Sequence, residues 1–502
     1  MDVFPESSLF ADTYNAGAAQ VLWTELVADL DTPVSAALKL GPESNYVSLL
    51  ESVEGGATRG RYSFISLKPD IVWRCNGKVS EISRDSGGQH VSYVNTGLAP
   101  LDSLRALVSE SRIDLPDTLP PMAAGLIGYM GYDTVRLVED IPNDNPDTIG
   151  IPEGVFMRPT VMVIFDDVAD SMSIVTPVRP QESQTAEHAF AEAQQRLKDV
   201  IEALDQPLPH RVVSDASEAD DVVEAVSNVG REGYHRMVEK AKEYILSGDV
   251  FQVVPSQRLR RPFIHPPFSL YRSLRRLNPS PFLFFLNFDG FAIVGSSPEI
   301  LVRLREGKVT IRPIAGTRPR GQTKAEDEQY ARDLLADPKE LAEHLMLLDL
   351  GRNDVGRVAQ TGTVEVTEQM LIEYYSHVMH IVSNVDGEIS PNSDAMDALM
   401  AGFPAGTVSG APKVRAMEII DELEPERRSF YAGAIGYLAA NGDLDTCIAL
   451  RTALVKDGEL IVQAGGGIVA DSDPEAEFQE SLNKAKAILR AAEQAGRYRR
   501  NG

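Results

Sequence analysis

The sequence contains very little cysteine, and this scarcity excludes two classes of protein. Cys75 and Cys447 are the only cysteines in 502 residues, and neither lies in a CxxC pair or in a Cys/His pattern with metal-ligand spacing. A disulfide framework needs more cysteines than this, and a structural zinc site needs a set of sulfur and imidazole ligands. The sequence therefore predicts neither.

Positive charge is also scarce. The chain has 48 Lys and Arg against 74 Asp and Glu, so its formal net charge is −26 and its isoelectric point is about 4.8. A field of this sign repels nucleic acid and anionic membrane surfaces, and we expect neither as a partner. An anionic substrate would need a local basic pocket.

Long apolar runs are missing as well. No segment approaches the roughly 18 apolar residues of a membrane span. The N-terminal stretch MDVFPESSLF has neither the basic nor the apolar region of a secretion signal. We therefore expect a cytoplasmic protein with no membrane partner.

The signals that are present favour hairpins followed by helices. Asn76-Gly77, between two strand-like runs, is the strongest short hairpin signal in the chain. Hairpins alternating with helices predict an α+β fold with large antiparallel sheets. The predicted hairpins lie at 71–82, 160–175 and 299–314, a three-strand meander at 437–467, and helices at 233–247, 324–350, 412–424 and 474–495.

One weak stretch sets the predicted domain organisation. Residues 203–231 are polar, acidic and poor in large apolar side chains, which is typical of a linker. We therefore divide the chain into an N-terminal region, 1–205, a linker or excursion, 206–231, and a C-terminal region, 232–495.

Two predicted helices carry the same pattern of glutamates. Each begins with Asp-Pro, a favourable N-cap and first helical residue, at Asp337 and at Asp473. Two glutamates three residues apart then share one face of each helix. The four glutamates are Glu340, Glu343, Glu477 and Glu480.

Carboxylate oxygens suit Mg²⁺, so side-by-side packing of these helices would create a magnesium site. The alternative is local: Glu340 closes a capping box with Asp337, and Glu480 pairs with Lys484.

Other segments contain single candidates. Backbone N–H groups of the glycine run 464–470 are candidates for binding a carboxylate or phosphate, although a simple bend is the alternative. The helix near Pro412 has cations in its first turn, which favours a bound anion there. Arg451 is predicted to lie mid-strand among apolar residues and to need an anionic partner. His380, also predicted in a strand, is by itself more typical of a structural histidine.

Together these segments resemble the large subunit of anthranilate synthase, within the chorismate-utilising enzyme family. The resemblance spans most of the chain. Its motifs are LLES (49–52), NPSPFLFF (278–285), GSSPE (295–299), PIAGTRPRG (313–321), ELAEHLMLLDLGRND (340–354), HVMHIVSNV (377–385), GTVSGAPKVRAM (406–417), DTCIALRTA (445–453) and QAGGG with the following helix to Glu480 (463–480).

This resemblance implies a fold and a site. The fold is α+β, with antiparallel sheets packed as a sandwich-like core and helices outside. The cofactor is Mg²⁺, held by Glu343 and Glu480 with Glu340 and Glu477 beside them. The residues implied to line the chorismate site are Gly316, Thr317, Tyr431, Arg451, Gly465, Gly466 and Gly467.

It also implies a mechanism and thus a lyase. Ammonia attacks C2 of chorismate, Glu299 protonates the leaving C4 hydroxyl, and His380 acts in the loss of pyruvate that makes the ring aromatic. Thr317 is implied in catalysis as well as in binding. The product is anthranilate, in the first step of tryptophan biosynthesis.

Two missing amines favour this product over those of related enzymes. The relative that makes aminodeoxychorismate usually has a nucleophilic lysine where this chain has Ala315, and isochorismate and salicylate synthases have a water-activating lysine where it has Gln252. We interpret the arginines around Ala315 as the local positive charge that an anionic substrate requires.

Regulation and a partner are implied too. By resemblance, L-tryptophan inhibits at a site in the N-terminal region, formed by Leu50, Glu51, Ser52, Pro281, Phe282 and Leu283. No nucleophile elbow surrounds either cysteine, so a separate glutamine amidotransferase small subunit is expected, in a hetero-tetramer. The alternatives are aminodeoxychorismate synthase component I, and a non-catalytic tryptophan-binding regulator on the same scaffold.

Overall fold

The computed structural model describes residues 1–54, 58–84, 91–211, 223–375 and 378–501. Residues 212–222 of the predicted linker, and His377 at the start of a family-like motif, lie outside this range. The described residues form twelve α-helices: α1 Ser7–Asn15, α2 Pro33–Lys39, α3 Pro100–Glu110, α4 Ala186–Leu204, α5 Gly230–Leu246, α6 Pro267–Leu277, α7 Lys324–Ala336, α8 Pro338–Gly356, α9 Ala395–Gly402, α10 Gly406–Ser409, α11 Lys413–Leu423 and α12 Pro474–Gln494.

One antiparallel network contains nearly all strands and divides into two sheets. The sheets share two long strands, β3 Thr58–Asn76 and β7 Gly154–Asp166, which bend where Pro69 lies opposite Pro159. Beside β7, the first sheet continues with β8 Ser171–Val178 and ends at β1 Gln20–Val27. Beside β3, it continues in spatial order with β2 Val47–Glu54, β13 Phe282–Asn287, β14 Phe291–Ser297, β23 Thr452–Lys456, β24 Glu459–Gly465, β12 Ser256–Pro262 and β10 Val226–Ser227.

The second sheet runs from the other halves of β3 and β7. Its further strands are β5 Val94–Asn95, β4 Val79–Ser83, β6 Gly125–Met130, β21 Ala434–Ala439, β22 Leu444–Ile448, β15 Ile300–Arg305, β16 Lys308–Ile311, β17 Ile314–Pro319, β19 Val378–Glu388 and β18 Glu365–Tyr374. Two small pairings complete the described strands, β11 Gln252–Val253 with β20 Gly410–Ala411 and β9 His210–Arg211 with β25 Arg500–Asn501.

Burial follows the two-residue period of the strands and shows a sandwich. On β13, Phe284 and Leu286 join one buried cluster with Ile127 and Tyr129 of β6, which places this cluster between the two sheets. The alternate residue Phe285 packs instead with helices α1, α4, α6 and α12 on the outer face of the first sheet. A third cluster, with residues of α3, α8, α9 and α11, covers the second sheet. The predicted α+β sandwich flanked by helices is confirmed.

The predicted hairpins at 71–82, 160–175 and 299–314 are confirmed by β3–β4, β7–β8 and β15–β16. The predicted helix 324–350 is two helices, because Asp337 ends α7 and caps α8. The predicted meander at 437–467 is wrong at Arg451. There the backbone takes a φ of 48° and the chain passes from β22 in the second sheet to β23 in the first.

Both predicted regions contribute strands to both sheets. Strand β2 pairs with β13, and β6 pairs with β21. The division at 206–231 therefore remains a prediction about the chain and does not separate one sheet from the other.

Candidate active site

The four predicted glutamates lie in the first two turns of α8 and α12. Asp337 accepts hydrogen bonds from the backbone N–H groups of Lys339 and Glu340, and Asp473 accepts one from Ala476. The predicted helix starts are confirmed. Because each cap fixes the start of its helix, it also fixes the direction of the glutamates one turn later.

The two pairs of glutamates face each other across a small space. The pKa of Glu343 is raised, mainly by burial, and its neighbours Glu340 and Glu480 raise it further. The pKa of Glu477 is raised by burial and by Glu480. The sequence could suggest two pairs, and the structure brings them together.

A glycine makes this approach possible. A Cβ atom at Gly466 would lie 2.9 Å from Oε2 of Glu477 and 3.8 Å from Oε1 of Glu480. Any larger residue would fill the space beside the carboxylates, so the cradle requires glycine here.

The partners of the glutamates decide how a cation would fit. Glu340 pairs with Arg318 at 2.9 Å and Glu480 with Lys484 at 2.9 Å, so the predicted Glu480–Lys484 pair is present. The side chain of Glu340 turns to Arg318 rather than closing a capping box with Asp337. Glu343 accepts from Nε2 of Gln252 at 3.1 Å, and Glu477 from the hydroxyl of Ser472 at 2.7 Å.

Glu343 and Glu477 thus have neutral hydrogen-bond partners only, which favours a cation beside them. Among the described residues no three acidic or imidazole groups are close enough to form a ready-made metal cluster. Magnesium needs only one or two protein carboxylates and takes its other oxygens from water and substrate. The oxygen donors and the glycine cradle therefore fit Mg²⁺.

Glu299 lies between β14 and β15 and is almost completely buried. Burial raises the pKa of Glu299 to about 8, against the opposing effects of Thr407, Arg451 and Lys484. At neutral pH this carboxyl group carries its proton, as a general acid must.

A backbone carbonyl group determines which ring nitrogen of His380, on β19, carries the proton. Its Nδ1 lies 2.9 Å from the carbonyl oxygen of Gly316 and 3.1 Å from the hydroxyl of Thr317. A carbonyl oxygen only accepts, so Nδ1 carries the proton and Nε2 keeps its lone pair. Burial lowers the pKa of His380, so the ring is neutral and able to accept a proton.

Gly316 lies next to both Glu340 and His380. It lies at a bulge where β17 pairs with β19, and its φ of 69° is a conformation that favours glycine. A Cβ there would lie 3.1 Å from Oε2 of Glu340.

Arg451 supplies an unused positive charge. Burial lowers the pKa of Arg451, against the opposing effects of Glu299 and Tyr375. Its guanidinium makes no ion pair or side-chain hydrogen bond with any residue in the described ranges. A partly buried guanidinium without a protein anion is suited to a substrate carboxylate.

The arginines around Ala315 do not provide such a charge, and our interpretation of them is wrong. Arg312 pairs with Glu368 and Glu373, Arg318 with Asp337 and Glu340, and Arg320 with Asp327. Each is neutralised by the chain's own carboxylates. These arginines hold neighbouring site elements in place, and Arg451 is the available cation.

The cations in the first turn of α11 have protein partners. Lys413 pairs with Asp354 at 2.8 Å and Arg415 with Glu418 at 2.7 Å. They therefore do not support a bound anion there, which stays a prediction.

Tyr431 and the glycines after β24 form the opposite wall. The hydroxyl of Tyr431 lies beside the backbone N–H of Gly465, and that of Tyr234 beside the N–H of Gly466. A Cβ at Gly467 would lie 2.4 Å from Nε2 of Gln252, the same amide that bonds to Glu343. All predicted chorismate-site residues therefore belong to one connected region.

Two residues of this region were missed from the sequence. Lys484 donates to the carbonyl oxygen of Gly465 at 3.0 Å and interacts with Glu299, Glu343 and Glu480. The hydroxyl of Thr407 lies near Glu299, but it has no hydrogen bond of good geometry within the described residues. Lys484 had a signal, since it lies one turn after Glu480 and faces the same side.

A separate cavity of about 1300 Å³ lies at the edge of the sandwich. The predicted inhibitor residues all line it: Leu50, Glu51, Ser52, Pro281, Phe282 and Leu283. Strand β2 pairs with β13, with Glu51 opposite Leu283, which explains why these two segments meet.

Glu51 does not offer its carboxylate to this cavity, contrary to our expectation. The carboxylate bonds to Arg275 of α6 at 2.7 and 2.8 Å and also accepts from the Tyr271 hydroxyl. Leu50 faces the other side of the strand, because side chains alternate. Ser52 lies where the pairing of β2 with β3 shifts register, and it lines the cavity as well.

The cavity has other polar groups that the sequence did not reveal. Oδ1 of Asp445 is buried and has no hydrogen-bond partner among the described residues. Arg303, also in the lining, forms no ion pair or side-chain hydrogen bond within those residues. The other oxygen of Asp445 lies 3.6 Å from Arg305, and Arg303 lies close enough to oppose the burial-raised pKa of Asp445. The cavity therefore contains both a carboxylate and guanidinium groups, which suits a ligand that carries both charges.

Both cysteines are free and buried, on β3 and β22, and burial raises their pKa values well above the usual range. Neither has the thiolate character of a nucleophile. Within the described residues, no helix is long and apolar enough to cross a membrane.

The chain is similar to several known proteins. The model of the family described as "chorismate binding enzyme" matches residues 58–490. The chain is 57% identical over 491 residues to anthranilate synthase component 1 of Cereibacter sphaeroides, covering 98% of each chain. It is 49% identical to the protein of the same name from Pseudomonas aeruginosa, covering 96% of each.

Solved structures agree with this. Anthranilate synthase component I from Streptococcus pneumoniae superposes with a TM-score of 0.73 at 38% identity, covering 86% of this chain and 92% of that one. The isochorismate synthase MenF from Escherichia coli has a TM-score of 0.70 at 20% identity, with 97% and 100% covered. The latter likeness concerns the fold alone.

Proposed function

The chain belongs to the chorismate-binding enzymes, within them to the anthranilate synthase component 1 proteins, and we propose that it converts chorismate and ammonia to anthranilate and pyruvate. The observation that carries this proposal is the grouping of a protonated carboxyl group, a neutral imidazole and an unpaired guanidinium: Glu299, His380 and Arg451.

Each of these groups has a distinct task in the proposed reaction. Arg451 binds a carboxylate of chorismate, which fixes the ring. Ammonia forms a bond to C2, the C4–O bond breaks, and the proton of Glu299 lets the hydroxyl leave as water. Nε2 of His380 then takes the proton from C2 while the C3–O bond breaks, and the ring becomes aromatic. The three-carbon group leaves as an enolate, which takes up that proton to become pyruvate.

We propose Mg²⁺ as the cofactor. Glu343 and Glu480 would hold it, with Glu340 and Glu477 beside them, and it would neutralise a substrate carboxylate. The support is the set of oxygen donors and the closeness of the glutamates to one another, which adds to the effect of burial in raising the pKa values of Glu343 and Glu477.

Ala315 and Gln252 support direct attack by ammonia. Ala315 is buried in β17 and has no nucleophile, and the Gln252 amide, bonded to Glu343, is not a base. An aminodeoxychorismate synthase with a nucleophilic lysine at the first position is therefore not favoured.

A partner supplies the ammonia in this proposal. The name component 1 of the relatives implies a further subunit, and both cysteines of this chain are buried and protonated. We therefore propose a glutamine amidotransferase small subunit as the partner. Free cysteines agree with a cytoplasmic location.

We also propose that L-tryptophan inhibits by binding in the cavity at the edge of the sandwich. Leu50 and Phe282 offer apolar surface, and Ser52 a hydroxyl. Asp445 and Arg303 carry the charges that an ammonium and a carboxylate group need.

The test is turnover by the purified chain with chorismate, Mg²⁺ and ammonium salt, followed by anthranilate fluorescence and product mass. We expect anthranilate with ammonium, none with glutamine alone, and glutamine-dependent activity once an amidotransferase subunit is added. Aminodeoxychorismate as the only product would disprove the proposed reaction. Glutamine use by the chain alone would disprove the need for a partner.

A further inference from the structure

Tyr375, just after β18, packs against the ring of His380. The two ring centroids lie 5.4 Å apart with an angle of 67° between the planes, an edge-to-face arrangement. In the proposed mechanism, the ring of His380 must point its Nε2 at the substrate. The orientation of His380 therefore depends on what holds Tyr375.

Tyr375 is held at three points. Its hydroxyl donates to Oε2 of Glu373 at 2.9 Å. Its carbonyl oxygen accepts from Nη1 of Arg320 at 2.6 Å, and its backbone N–H donates to Val378 at 2.8 Å. The ring therefore has little freedom to turn away from His380.

Glu373 is fixed in turn. It lies opposite His380 in the β18–β19 pairing, and its other carboxylate oxygen accepts from Arg312. Arg312 and Arg320 belong to the basic stretch whose charges proved unavailable to substrate. Arg312 donates to Glu373, and Arg320 donates to the carbonyl oxygen of Tyr375, so both bind the segment that positions Tyr375.

We propose that Tyr375 is a positioning residue for His380, and that Glu373 and Arg312 hold it in place. This inference rests on the proposed function. The contact restricts the imidazole to the orientation in which Nδ1 donates to Gly316 and Nε2 faces the substrate. Tyr375 touches no reacting atom in this scheme. It also interacts with Arg451 and Glu299, but its ring contact is with the histidine.

The consequence is specific to one step. Protonation of the leaving hydroxyl depends on Glu299, whereas removal of the C2 proton depends on His380. Loss of the Tyr375 ring should therefore slow the second step more than the first. The aminated, non-aromatic intermediate would then leave the enzyme more often before it becomes anthranilate.

The experiment measures the ratio of that intermediate to anthranilate by mass analysis, with chorismate, ammonium and Mg²⁺. This ratio does not depend on how much of a variant is active, so a general loss of folded protein does not change it. His380→Met serves as the reference for a blocked second step. Tyr244→Leu is the matched control, because Tyr244 of α5 likewise donates its hydroxyl to a glutamate, Glu422, and its ring contacts are with cations rather than with His380.

Tyr375→Leu should raise the ratio between about twofold and tenfold, the range expected when one edge-to-face aromatic contact is lost. Tyr375→Phe and Glu373→Gln keep the ring and weaken its hold, so each should raise the ratio by about twofold. Tyr244→Leu should leave it unchanged.

The proposal is overturned if Tyr375→Leu keeps the ratio of the unsubstituted chain while His380→Met raises it. If Tyr375→Leu does not fold, an unchanged ratio in both Tyr375→Phe and Glu373→Gln overturns it equally. An unsubstituted chain that forms neither product would instead disprove the proposed function, so the two failures are distinguishable.

Discussion

At the scale of single residues, the site depends on burial that changes which side chains are charged. Glu299 is held in its acid form because its carboxyl group is removed from water. His380 is held neutral for the same physical reason, since burial penalises the charged form of either group. One environment thus prepares an acid and a base side by side.

The pKa of Glu299 predicts a pH dependence. The rate per free ammonia should fall as pH rises through about 8, because the acid form is then lost. Turnover per total ammonium would hide this, since the ammonia fraction grows with pH. The measurement is therefore initial rate against pH, divided by the free ammonia concentration at each pH.

Glu299→Gln provides the control for that profile. The amide keeps the buried volume but has no proton to give, so turnover should be lost at every pH while the fold remains. If the normalised rate of the unsubstituted chain stays constant well above pH 8, Glu299 does not act as the acid.

Some residue roles were readable from the sequence, and others were not for physical reasons. The missing amine at Ala315 needs no structure to be noticed. The side on which Glu51 lies was also readable, because strand alternation places it opposite to Leu50. The positive φ of Arg451 was not, since Leu450 and Thr452 on either side of it are compatible with a continuous strand and no local signal marks the change of sheet.

At the scale of elements, α8 and α12 act as a pair with the same N-terminal design. Asp337 and Asp473 were correctly predicted as caps because capping is a local property of sequence. That the two helix starts face each other was not predictable. Their approach depends on Gly466, which is distant in sequence from Glu343 and leaves room beside the carboxylates.

This pairing predicts that neither helix alone holds the cation. Glu343→Gln and Glu480→Gln should each reduce Mg²⁺-dependent turnover by at least about a hundredfold, since even changes beside a metal ligand cost 10–100-fold. Mg²⁺ should also raise the thermal unfolding midpoint of the unsubstituted chain and fail to do so in either variant. The second measurement does not depend on activity.

Glu475→Gln is the matched control on α12. The Glu475 carboxylate pairs with Arg231 and His235, away from the facing glutamates. Its loss should leave the Mg²⁺ response unchanged. Normal turnover of both site variants at limiting Mg²⁺ would contradict the metal assignment.

At the scale of the whole molecule, the sandwich joins two sites that the sequence keeps apart. The lining of the cavity at its edge includes both Ser52 and Tyr375, whose ring contacts His380. One side chain, that of Tyr375, therefore separates the cavity from the proposed base. The sheets themselves provide the connection, because β2 and β18 belong to the same network.

This arrangement predicts how tryptophan should act and how to remove its effect. Ser52→Phe should fill the part of the cavity beside Leu50 and Phe282 and relieve inhibition, while turnover without tryptophan stays nearly unchanged. The same substitution at Ser7, an exposed residue of α1, should alter neither. The measurement is turnover against tryptophan concentration for the three proteins.

Reciprocity provides the decisive comparison. If the two sites are distinct, tryptophan must weaken chorismate binding by the same factor by which chorismate weakens tryptophan binding. The coupling free energy behind this factor is typically about 1–3 kcal/mol. Direct competition would instead raise the apparent KM without limit as tryptophan increases. Saturation of the effect, together with its loss in Ser52→Phe, would place the inhibitor in the cavity. Full sensitivity in that variant would place it elsewhere, because a phenylalanine at position 52 leaves no room beside Leu50 and Phe282.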